Sequence, residues 1–160
     1  MDSGKRNHVK LLTELDGKLV SHFSLHEFES RRRGYAMVHP SLLLSLEKLR
    51  QNLSGIDAFE EVEIIITSGL RTQEDNAWLG EKYGYTEAGG DVSRDSKHLP
   101  EYGGIAADFW ARRKRDKKVI PTDVLLRCAQ QVFDFCKAYA DGHVHGDNRN
   151  GGLKVCGKES

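Results

Sequence analysis

The strongest constraint on this chain is a carboxylate set inside an apolar run. Asp108 follows Ile105-Ala106-Ala107 and precedes Phe109-Trp110, a short segment that reads as a buried strand. An ionised side chain in that setting is costly unless an opposite charge or a metal compensates it. The fold must therefore bring partners to Asp108, and the sequence holds imidazoles on both sides of it. His98 lies upstream in Ser96-Lys97-His98, before a turn that contains Gly103-Gly104. Downstream, His143-Val144-His145-Gly146-Asp147 reads as another strand. His143 and His145 would share a face there, because strand side chains alternate with period two. Two imidazoles and one carboxylate suit zinc and leave a fourth position for water, the arrangement of catalytic rather than structural sites.

Three motifs in one order carry a resemblance. Ser68-Gly69-Leu70-Arg71-Thr72 with Asn76, Ser96-Lys97-His98 with Gly104-Ile105-Ala106-Ala107-Asp108, and His143-Val144-His145-Gly146-Asp147 follow one another along the chain. Together they resemble the zinc D-Ala-D-Ala-type peptidases of the M15 group, in the hedgehog/DD-peptidase (LAS) superfamily. Phe23-Ser24-Leu25-His26-Glu27-Phe28 is similar to the opening of some relatives, so the likeness runs over residues 23–149. Each motif alone is weak; their order makes chance a poor explanation. Two departures stand out. Pro100-Glu101-Tyr102 looks inserted in the turn between His98 and Asp108, and is expected to bulge outward, since lengthening a loop costs little entropy. Gly142 stands where many relatives carry a catalytic acid, with Asp141 and His143 on either side.

The resemblance implies an α+β fold: a small, mostly antiparallel sheet with helices packed on one side. It implies Zn2+ held by His98, Asp108 and His145. His143 is then the first candidate for the base and Asp141 the second, while Asp147 orients a ligand imidazole. Arg71 would steady a substrate carboxylate or an oxyanion, with Ser96 beside it in the substrate site. The implied activity is zinc-dependent hydrolysis of peptide bonds in peptidoglycan stem peptides, of the D-Ala carboxypeptidase or endopeptidase kind, as in a phage lysin. The alternative is a catalytically silent, zinc-stabilised binding or structural module, since hedgehog signalling domains carry a similar site and are known chiefly as ligands.

The chain has 160 residues, which suits one domain with a real core. Its Lys+Arg and Asp+Glu counts are both 24, so no global field draws it to nucleic acid or membrane. No run is long enough to cross a membrane as a helix. The start, Met1-Asp2-Ser3-Gly4-Lys5-Arg6, has no apolar segment behind it, so synthesis in the cytoplasm without a secretory signal is expected, with action at the cell wall after release. A monomer is expected. Cys128, Cys136 and Cys156 form no C-x-x-C pair and read as small packed or surface residues in a reducing compartment.

Residues 1–20 read as a polar arm, with a helical turn near Val9-Lys10-Leu11-Leu12; 21–156 form the domain and 157–160 a tail. Ser24 and Glu27 make a capping box for a short helix that Arg31-Arg32-Arg33-Gly34 ends. Pro40-Ser41 opens a helix with Leu43, Leu46 and Leu49 on its core face, stopped by Ser54-Gly55. Val62–Thr67 is a β-branched strand that delivers Arg71 beyond its end. A helix then runs from Gln73 to about Gly84, and 84–95 form a loop whose Tyr85, with Tyr83 just before it, borders a peptide groove. The basic run Arg112–Lys118 reads as a solvated loop rather than a nucleic-acid contact. A long helix is predicted from Thr122 to Tyr139, capped by Gly142, then the strand at His143 and an edge strand in 150–156.

Overall fold

The computed structural model describes residues 8–32 and 34–150. The site is built on a four-stranded sheet of order β3-β4-β6-β5, every neighbouring pair antiparallel. Its strands are β3 (Val62–Ser68), β4 (Ala106–Arg113), β5 (Phe135–Ala138) and β6 (Val144–Asp147). Alternation divides the sheet into two unlike faces. Val62, Ile64, Ala107, Phe109, Ala111 and Val144 are buried on one face. Helices α1 (Pro40–Ser54) and α3 (Thr122–Gln130) cover that face through Leu42, Leu46, Leu49, Leu53, Leu125 and Ala129. Asp108, Trp110, His143, His145 and Lys137 belong to the other face and line an open cleft. This is the expected α+β architecture, with an antiparallel sheet carrying helices on one side.

Helix α1 starts where predicted, with Pro40 in its first turn and the His39 ring accepting from the Ser41 amide. Helix α2 (Gln73–Tyr83) carries a complete capping box between Thr72 and Asp75 and ends at Gly84. The Ser24–Glu27 capping box is also present, but it opens only a 3-10 turn, Leu25–Phe28, which ends before the arginines. Arg33 lies outside the described residues.

The amino-terminal reading is corrected. Residues 10–24 form a hairpin of β1 (Lys10–Leu15) and β2 (Lys18–Ser24), not an arm with a helical turn. Asp16 and Gly17 both have positive φ, 52° and 81°, the conformation that matches a tight two-residue turn to the twist of its strands. The hairpin buries Phe23 in the main core, and its His22 binds Glu47 of α1 through both the backbone amide (2.8 Å) and ring Nδ1 (2.7 Å).

The helix predicted over Thr122–Tyr139 is also corrected. It stops at Gln130, and Phe135–Ala138 forms the edge strand β5. Inward positions Val132 and Cys136 fit a helical stripe and a turn-plus-strand equally well, which misled the periodicity. Pro121 precedes the first turn, while Thr122 Oγ1 donates instead to the Gly142 carbonyl at 3.0 Å. Gly142 (φ 100°) caps no helix; it closes the β5–β6 hairpin, its amide donating to Tyr139 O at 3.0 Å and the Tyr139 amide to His143 O at 2.9 Å. Buried Asn148 locks this end of the molecule, donating to Ser41 Oγ and Ser45 Oγ and accepting from the Asp134 amide. Cys128 and Cys136 thus sit on different elements, α3 and β5. Residues 151–156, most of the expected last strand, fall outside the described residues.

The basic run is a tight turn rather than an open patch. Arg112 and Lys117 pair with Glu63, Lys114 with Glu61, Arg115 with Glu60 and Arg113 with Asp116.

Candidate metal centre and its cleft

Three elements deliver the three candidate ligands. Asp108 projects from β4 opposite His145 of β6, its register partner. His98 comes from the loop after α2, framed by the turn that ends β3. Gly69 makes that frame possible: it lies so close to the chain at Phe28 that a Cβ would meet Phe28 Cα at 2.6 Å. Leu70 donates to Phe28 O at 2.9 Å, Arg71 donates to His98 O at 2.8 Å, and the Gly69 carbonyl accepts from His98 Nδ1 at 2.7 Å. Pro100–Tyr102 forms a 3-10 turn with Glu101 exposed, and none of the three residues lines the cleft.

The donor atoms converge. His98 Nε2 is 3.1 Å from Asp108 Oδ1 and 3.1 Å from His145 Nδ1, and the last two are 2.9 Å apart. All three residues are buried and form a group that can hold a metal ion. The far nitrogen of each ring is already committed, His98 Nδ1 to Gly69 O and His145 Nε2 to Asp147 Oδ2 at 2.7 Å. With protons on those outer nitrogens, two imidazole lone pairs and a carboxylate oxygen face one another with no hydrogen between them. Such a cluster of acceptors requires a positive charge at its centre. Outer partners of this kind are what fix the tautomer and direction of metal-binding imidazoles.

The electrostatics show the same demand. Burial pushes the pKa of His98 down, against the pull of Asp108. Burial also works against an imidazolium at His145, but its hydrogen bonds to Asp108 and Asp147 outweigh that and hold its pKa up at about 9. Burial would raise the Asp108 carboxyl, yet the two histidines keep it well below the usual carboxylate range. Without a metal, therefore, a proton on His145 supplies the central charge. Asp147, fully buried, is held down at about 2: burial opposes its charge, but Arg149 and His145 donate to it.

The other predicted residues surround this group without joining it. His143 Nε2 lies 3.9 Å from Asp108 Oδ2, while its Nδ1 hydrogen-bonds Asp141. Asp141 is largely exposed and also accepts from the His143 amide at 3.1 Å, so its place is behind the imidazole. Arg71 Nη2 stands 3.8 Å from Asp108 Oδ2. Its Nη1 donates to Ser96 Oγ at 3.1 Å and Asn76 Oδ1 at 3.3 Å, and Asn76 in turn donates to the Ser93 carbonyl. Ser96 Oγ also accepts from the His98 amide at 3.3 Å, which makes Ser96 a holder of Arg71 and His98. These groups open onto a cleft of about 1130 Å³ lined also by Trp78, Tyr83, Trp110, Phe135 and Lys137. The remaining histidines, His8, His22, His26 and His39, lie outside it.

Tyr139 is the cleft residue that the sequence reading placed wrongly, on a helix. It stacks on His143, ring centroids 4.3 Å apart and planes within 15°. The signal that could have found it is Asp141-Gly142, a hairpin-turn dipeptide next to the His-x-His strand. No protein-family model, curated protein or solved structure matches this chain.

Proposed function

We propose that the chain is a zinc-dependent peptidase of the hedgehog/DD-peptidase kind that hydrolyses peptide bonds in peptidoglycan stem peptides. One observation carries the reading: His98 Nε2, Asp108 Oδ1 and His145 Nδ1 converge at 2.9–3.1 Å, while a further imidazole and a guanidinium stand beside them unengaged as ligands. The nitrogen–oxygen donor set favours zinc, and the ordered motifs support the substrate class. A zinc ion bound there supplies Lewis-acid polarisation of the scissile carbonyl and acidifies a water.

The protein's own residues divide the remaining work. Arg71, held in place by Ser96 and Asn76, is a fixed fork for a substrate carboxylate. His143, with Nδ1 tied to Asp141, presents Nε2 to the cleft as the base. It takes a proton from the attacking water as the C–O bond forms. It then returns that proton to the amine as the C–N bond breaks. Asp147 and Gly69 hold the ligand imidazoles.

The test combines metal analysis with cleavage. Purified protein should carry about one zinc per chain, and should cut D-Ala-D-Ala dipeptide or cross-linked stem peptides in a manner abolished by chelation and restored by zinc. Fully metallated protein that binds these peptides and cuts none of them would instead establish the silent-module reading.

A further inference from the structure

Once His143 is assigned as base and Arg71 to the substrate carboxylate, the oxygen of the scissile carbonyl still lacks a protein donor. Tyr139 is a side chain of the cleft wall that carries a hydroxyl donor. The β5–β6 turn fixes it: Tyr139 and His143 close the hairpin through the 2.9 Å bond from amide to carbonyl, and their rings stack. Lys137 Nζ lies 5.0 Å from the Tyr139 ring centroid, which gives the ring a second contact. Its hydroxyl has no hydrogen-bond partner among the described residues, although the ring is half-buried in the cleft wall. It lies within electrostatic reach of both Asp108 and Arg71. Burial, reinforced by the Asp108 carboxylate, pushes its pKa up to about 12, so the phenol keeps its proton across the neutral range.

Resting on the peptidase reading, we propose that Tyr139 is a catalytic residue: its hydroxyl donates a hydrogen bond to the carbonyl oxygen as that oxygen gains negative charge. No proton changes hands in this step. The donor is fixed before reaction, so the bond strengthens as charge develops, and such a donor is commonly worth about 10²–10³-fold. A phenol shared with water at an open cleft falls near the lower end of that range.

The test compares two ligands of the full, zinc-loaded chain: a phosphinate dipeptide, which carries a tetrahedral anion, and the matched planar dipeptide. Tyr139→Phe keeps the ring and removes only the hydroxyl. Phosphinate affinity should fall about 100-fold, with dipeptide affinity and zinc affinity changed less than about two-fold. Equal losses for both ligands, or none, would overturn the role of Tyr139 alone. If the parent chain binds phosphinate no better than dipeptide, the peptidase reading fails and takes this proposal with it.

Discussion

Asp108 uses its two oxygens differently. Oδ1 meets both ligand imidazoles, and Oδ2 faces Arg71 at 3.8 Å and His143 at 3.9 Å. Asp108→Ala should therefore remove metal and turnover together. His143→Ala and Arg71→Ala should keep the zinc and lower kcat, the former by about 10²–10⁴-fold; zinc analysis alongside kinetics separates the two classes. A second prediction follows from charge. The zinc-free chain holds a proton on His145, whose pKa is about 9, while His98 is held neutral. Zinc must displace that proton, so titration in weak buffer at pH 7 should release about one proton per chain. The release should fade as pH rises through the His145 pKa, because the ring is then already neutral. The convergence of His98, Asp108 and His145 was legible because a carboxylate in an apolar strand needs compensation, and only certain residues can give it. The role of Ser96 was not legible: its hydroxyl is spent on Arg71 and the His98 amide, and no spacing reveals that.

Each hairpin turns on an Asp-Gly pair, but the turns differ. Asp16-Gly17 is a two-residue turn from β1 into β2 with both residues at positive φ, whereas Ala140-Asp141-Gly142 is a three-residue turn from β5 into β6 with only Gly142 at positive φ. The first lies in a polar stretch that hides its strands, and Gly142 by itself suits a helix cap equally well. The leucine stripe of α1 was legible because 15 residues leave helical period no rival, whereas the four residues of β5 fit either period. The second hairpin matters chemically because it sets Tyr139, Asp141 and His143 together. Gly142→Ala forces an L-residue to φ near 100° with its Cβ 3.2 Å from Thr122 Oγ1. It should cost roughly 1–2 kcal/mol in urea unfolding, and depress kcat beyond what the folded fraction explains, with zinc affinity nearly intact. The hairpin at the other end is pinned by Glu47, 1% exposed. His22→Ala leaves that buried carboxylate only the backbone amide, and should destabilise by about 1–3 kcal/mol in the same assay.

Among the described residues, the apolar core and the candidate metal centre occupy opposite faces of one sheet. Leu46, fully buried on α1, should cost about 2–5 kcal/mol as Leu46→Ala, yet leave the zinc affinity of the remaining folded protein unchanged. The ion pairs of the basic turn are exposed, and Lys114→Ala or Arg115→Ala should move stability by no more than about 0.5 kcal/mol. The donor cluster has one more consequence, and it concerns time. Asp108 is separated from His98 by 10 residues and from His145 by 37, and the two histidines by 47. The cluster cannot form before β4 and β6 have found their register, a late event if distant pairings follow local ones. Zinc then binds only what has already passed the folding barrier. Its presence should leave the refolding rate of the chain nearly unchanged while slowing unfolding, so the ion acts as a latch closed after assembly.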